Sequence, residues 1–122
     1  AAAADSTALV GRLETAVAAA RGMIDGVDDD AVLPTRFGPL PTRHFLVHRI
    51  VEGVVHGLDL PTAHAPDPRA LEVCASALTQ LLLQARPELA GQLPADEIGW
   101  VEAATGRAAA PAGLRDVLPL LA

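Results

Sequence analysis

The stretch RHFLVHRIVEGVVHGLDL, Arg43 to Leu60, decides the fold. Phe45, Leu46, Val47, Ile50, Val51, Val54, Val55 and Leu58 recur at helical spacing over a broad face. Thr42 stands ahead of them as a candidate N-cap, and Pro61 enforces the stop. A helix this apolar reads as the middle of a bundle, so its polar residues are the informative ones. His44, His48, Glu52 and His56 are spaced by four, and each side chain stands nearly above the last, drifting about 40° per step. Glu52 and His56 place a carboxylate and an imidazole on one face at i, i+4, the geometry by which paired helical ligands share one metal ion. A third donor must come from elsewhere: His48 from the preceding turn, or a His on another helix. The same spacing also describes a surface pair worth a few tenths of a kcal/mol. A buried Glu52 would need Arg49 or a metal as compensation. Asp59, an acid in the last turn, opposes the helix dipole at roughly 0.3–1 kcal/mol. It either caps the following turn or has a specific partner, an Arg or the ring of His56.

Helices flank this segment. The first is predicted from about Ser6 to Ile24, with Leu9, Leu13, Val17, Ala20 and Ile24 on one face, Asp5 or Ser6 as cap, and Gly26 with Asp28, Asp29 and Asp30 ending it. LPTRFGPLP, residues 33–41, is read as an irregular loop because three prolines and a glycine oppose regular structure. The third helix has the clearest start: Asp67 as cap, Pro68 at the first helical position, then Leu71, Cys74, Leu78, Leu81, Leu82 and Ala85 up to Pro87. A short fourth helix spans about Asp96 to Thr105, anchored by Trp100 and closed by Gly106 in the left-handed conformation. The last stretch, LRDVLPLLA, is apolar and is expected to pack back on the bundle. With no convincing strand pattern, the class is all-α: about four helices and a short helical C-terminal tail.

Composition narrows the function. The chain has 122 residues, is 51% hydrophobic, carries net charge −6, and all nine of its basic residues are Arg. The apolar fraction excludes disorder, and nine scattered Arg make no basic stripe for nucleic acid. No apolar run reaches the ~18 residues of a membrane span, and the N-terminus has no basic-then-apolar signal sequence. A single Cys excludes an internal disulfide and a thiolate zinc cage and fits a cytoplasmic protein. Cys74 reads as a buried structural thiol, His64 as solvated, and Arg107 as a cation complementing a helix end. No phosphate loop, nucleophile elbow or glycosidase acid pair is present.

The motif at Arg49, Glu52, His56, Asp59 and Leu60 resembles the R-x-x-E-x-x-x-H-x-x-D-L signature of the mycothiol-dependent maleylpyruvate isomerase family, relatives of the DinB-like metal-binding helical bundles. The preceding FGPLP and the tail WVEAATGR followed by LRDVLPLL are similar to the same family, so the likeness covers about half of the chain. It implies a partial DinB-like bundle, with residues 1–60 as its second half and 61–122 as a shortened C-terminal region. It further implies an isomerase or thiol transferase acting on a small organic substrate, with a divalent metal, zinc first, and mycothiol as thiol cofactor. Carried over by position, Glu52 and His56 are metal ligands and Arg107 is the substrate-binding or polarising Arg. The bundle's first two helices, which bear the third ligand, have no counterpart here; either His44 or His48 substitutes within the chain, or a second chain completes the bundle. With no initiator Met and a central helix too apolar for short neighbours to cover, the sequence reads as the C-terminal portion of a longer protein. Its expected partner, besides the substrate, is the missing helix pair or a second copy burying Val51, Val54 and Val55. The alternative is a non-catalytic helical interaction module.

Overall fold

The computed structural model describes residues 2–62 and 64–121. The chain is all-α apart from one small hairpin. In order it forms α1 (Ala2–Asp25), β1 (Val32–Thr35), β2 (Gly38–Pro41), α2 (Thr42–Leu58), α3 (Pro68–Ala85) and α4 (Glu97–Ala104), with 3-10 turns at Pro87–Gln92 and Ala112–Leu114. These elements fall into two compact units, Ala1–Arg43 and His44–Ala122. No helix among the described residues is long and apolar enough to cross a membrane.

In the first unit α1 begins earlier than its capping signals indicate. Asp5 and Ser6 lie inside the helix, with Asp5 as the acid of its first turn, where it complements the positive end of the dipole. An Ala-rich start needs no side-chain cap to stay helical. Residues 33–41 correct the loop expectation: β1 and β2 pair antiparallel, with Leu33 opposite Leu40, Pro34 opposite Pro39 and Thr35 opposite Gly38. The prolines permit this because Pro34, Pro39 and Pro41 all fall on the alternate positions whose backbone nitrogen turns away from the partner strand. The next bonded position confirms the register, Thr42 N donating to Ala31 O at 2.8 Å. Arg36 and Phe37 make the two-residue turn, closed by Gly38 at φ +102° and by the Thr35 hydroxyl donating to Gly38 O at 2.6 Å. Thr42 is the first residue of α2, and its buried hydroxyl donates to Ala31 O at 2.8 Å, beside the hairpin.

The second unit holds the core. Cys74, Leu78 and Leu82 of α3, Trp100 and Val101 of α4, and Val51, Val54 and Val55 of α2 bury one continuous cluster. The three valines are thus covered within the chain, which corrects the expectation that a second copy must bury them. Asp67 Oδ1 accepts from the backbone N–H of Arg69 and Ala70 at 2.9 and 3.1 Å, with Pro68 at the first helical position, as the sequence indicates. Trp100 is an anchor in both senses: its ring is buried and its indole N–H donates to Ala75 O at 3.2 Å. The tail closes over α4. Leu114 is fully buried, and Leu120 N donates to Ala104 O at 2.8 Å.

Candidate functional site

The face of α2 that carries His48, Glu52 and His56 holds a connected row of polar side chains that ends on α4's C-terminus. His48 Nε2 lies 4.0 Å from Glu52 Oε1, and His56 Nε2 lies 3.2 Å from Glu52 Oε2. The other nitrogen of the same ring, His56 Nδ1, lies 3.6 Å from Asp59 Oδ2. Asp59 is held by Arg107, whose Nε donates to Oδ1 at 2.6 Å and Nη2 to Oδ2 at 2.5 Å. Arg107 Nη1 donates to Thr105 O at 3.2 Å. The row is solvent-accessible along most of its length and sheltered only at its end: the His56 side chain is 70% exposed, Glu52 40% and Arg107 26%. Glu52 is therefore not a buried carboxylate, and solvent removes the compensation that burial would demand of Arg49. The helix is amphipathic after all, since its buried valines occupy a neighbouring face.

Arg107 reaches Asp59 because of how α4 ends. Gly106 adopts φ +74°, Gly106 N donates to Ala103 O at 3.3 Å, and Arg107 N donates to Glu102 O at 2.7 Å. This is the paired bonding of a Schellman cap, which reverses the chain one residue past the helix and sets the next side chain at its end. Asp59 sits just past the C-terminus of α2, where an acid opposes the dipole; the guanidinium supplies the missing positive charge. The Arg107 hydrogen bonds, together with its charge and the His56 ring, hold the Asp59 carboxyl below the ordinary Asp range. The same contact with Asp59 raises Arg107 further above its already high value.

Whether these residues suit a metal turns on donor count. Glu52 and His56 stand 3.2 Å apart, close to the edge of a tetrahedral site built at 2.0–2.1 Å from the ion, about 3.3 Å. His48 faces the other carboxylate oxygen at a longer distance. Among the described residues no three His, Cys, Asp or Glu side chains converge as a metal-holding group. The row is a two-donor set with an ordered outer carboxylate. Elsewhere, Cys74 is fully buried and burial pushes its thiol up, away from nucleophilic use. An apolar groove of about 380 Å³ lies on another side of α2, lined by Ile50, Gly53, Gly57, Leu60 and Pro66, with His64 at its loop.

His48, Glu52, His56 and Arg107 are identifiable from sequence, which leaves Asp59 open between capping the following turn and pairing with an Arg or with His56; the structure shows the pairing. Sequence alone does not join Arg107 to Asp59, although Gly106 directly before Arg107 is the available signal. The groove had no sequence signal beyond the i, i+4 glycines. Comparison with known proteins finds no matching family model, no matching curated protein and no matching solved structure.

Proposed function

We propose that Glu52 and His56 are two ligands of a divalent metal, zinc first, in a mycothiol-using isomerase or thiol transferase acting on a small organic substrate. The observation that supports this reading is the grip on His56. Its Nδ1 faces Asp59 at 3.6 Å while Nε2 faces Glu52 at 3.2 Å. In metal-binding imidazoles one nitrogen is turned to an outer carboxylate and the other takes the ion; in the metal-free protein His56 Nε2 is hydrogen-bonded to Glu52 Oε2, and an ion would replace that bond by sitting between the two groups. Arg107 in turn fixes Asp59, so it acts first as a positioning residue. Of its five N–H groups, three are engaged by Asp59 and Thr105, which leaves two for an acidic substrate, the role that the resemblance assigns. The third donor is His48 after a rotamer change, or a group outside the described residues. When bound, such an ion would supply Lewis acidity that lowers the pKa of a coordinated thiol.

The test is nuclear magnetic resonance of the four imidazoles during addition of zinc. His56 shifts first through Nε2, His48 follows if it supplies the third donor, and His44 and His64 stay in place. Equal response of all four rings, or none, sinks the proposal. The reading of the chain as a non-catalytic helical interaction module is favoured by a different observation, the exposed apolar residues of α1.

A further inference from the structure

α1 is a 24-residue helix whose side chains from Asp5 to Asp25 are all exposed, among them Val10, Leu13, Val17 and Ile24, each between 47% and 62%. These four, with Ser6 and Ala20, keep a strict alternation of three and four residues: Ser6, Val10, Leu13, Val17, Ala20, Ile24. That is the a/d seam of a coiled coil, with a positions at Val10, Val17 and Ile24 and d positions at Ser6, Leu13 and Ala20. Gly11 and Gly22 fall on the outer b and f positions, where a missing side chain removes nothing from the seam. A lone helix with two glycines is marginal in water, and a seam partner would stabilise it.

The charges choose the partner and its direction. Glu14 and Arg21 occupy successive e positions, two turns or about 10.5 Å apart along the axis, too far to pair within one helix. Neither has an ion-pair partner among the described residues. In an antiparallel pair, e positions face e positions. With the two-fold axis between Ala18 and Ala19, Leu13 packs on Ile24 of the second copy and Val17 on its Ala20. Glu14 then meets Arg21 twice, once on each side of the axis. Sliding one heptad either way juxtaposes Glu14 with Glu14 or Arg21 with Arg21. A parallel pair brings neither charge to its opposite, because the facing g positions are Leu9 and Ala16. We propose that α1 is the dimerisation helix of this protein, pairing antiparallel with α1 of a second copy in this register.

Sedimentation of the intact chain tests it through charge reversal, since the Glu14 and Arg21 side chains are exposed and take no part in the buried core. Wild type is expected to dimerise. Arg21→Glu should weaken the dimer roughly tenfold or more by setting Glu against Glu at both symmetric contacts, and Glu14→Arg/Arg21→Glu should restore it. As a second probe, Glu14→Cys and Arg21→Cys proteins mixed under oxidising conditions should cross-link to one another faster than either does to itself. A monomer at tens of micromolar overturns the proposal, including one whose α1 amides resist exchange because its own chain covers the seam. A dimer indifferent to both charge variants, as another face or a foreign partner would give, overturns it equally.

Discussion

Arg107 and Asp59, 48 residues apart in the chain, meet in a forked pair of hydrogen bonds at 2.6 and 2.5 Å that joins the ends of α4 and α2. The fork makes the pH behaviour of this contact predictable in sign. The folded carboxyl titrates below its ordinary value of about 4. Its contribution is therefore present above that ordinary value and is lost as pH falls through the depressed folded one. Asp59→Asn is expected to lower Tm at pH 7, and the gap to wild type should close as melts are run from pH 5 to pH 2. A gap that widens on acidification would show that the stabilising form is the protonated acid.

Arg107→Lys separates positioning from simple charge. Lysine keeps the cation but lacks the planar fork, so Asp59 and behind it His56 lose their fixed orientation. Zinc affinity should fall about tenfold, the scale of outer-shell losses, while Arg107→Ala falls at least as far. Calorimetry reads both; equal affinity in wild type and Lys variant would remove Arg107 from the site.

Gly106→Ala tests the cap that delivers Arg107. At φ +74° an alanine is strained by the backbone alone, since its Cβ would meet Pro119 at an ordinary contact distance of 3.5 Å. A loss of about 1 kcal/mol in urea unfolding is expected, together with weaker zinc binding. Stability lost without any change in zinc binding would uncouple the cap from the site.

Leu114→Ala probes the closure of the tail. The side chain is fully buried in the cluster with Trp100 and Val101, and its removal should lower stability by roughly 2–5 kcal/mol. A loss under about 1 kcal/mol would mean that the tail is held by Val117, Leu118, Leu120 and its backbone bonds to Ala104 rather than by Leu114.

Much of this was legible from residue types. Asp67 and Pro68 marked the start of α3, and Asp96, Trp100 and Gly106 framed α4, because caps and left-handed glycines act locally. Two features are not legible from residue types, for opposite reasons. The number of prolines in residues 33–41 argues for a loop, whereas their common parity about Arg36 and Phe37 is what a strand requires of them. The coverage of Val51, Val54 and Val55 by α3 and α4 is tertiary, and helix periodicity states only that a face needs cover. Within the site, i, i+4 spacing gave Glu52 and His56, whereas the Arg107–Asp59 contact depends on where two helix ends meet.

Calorimetric titration of zinc into wild type and into the Glu52→Ala/His56→Ala variant decides whether Glu52 and His56 bind one divalent metal. Wild type should bind one ion per site, and the double variant should lose roughly a hundredfold or more in affinity. If both proteins take up zinc equally poorly, or equally well, the row on α2 is a surface ion-pair ladder and the metal reading is wrong.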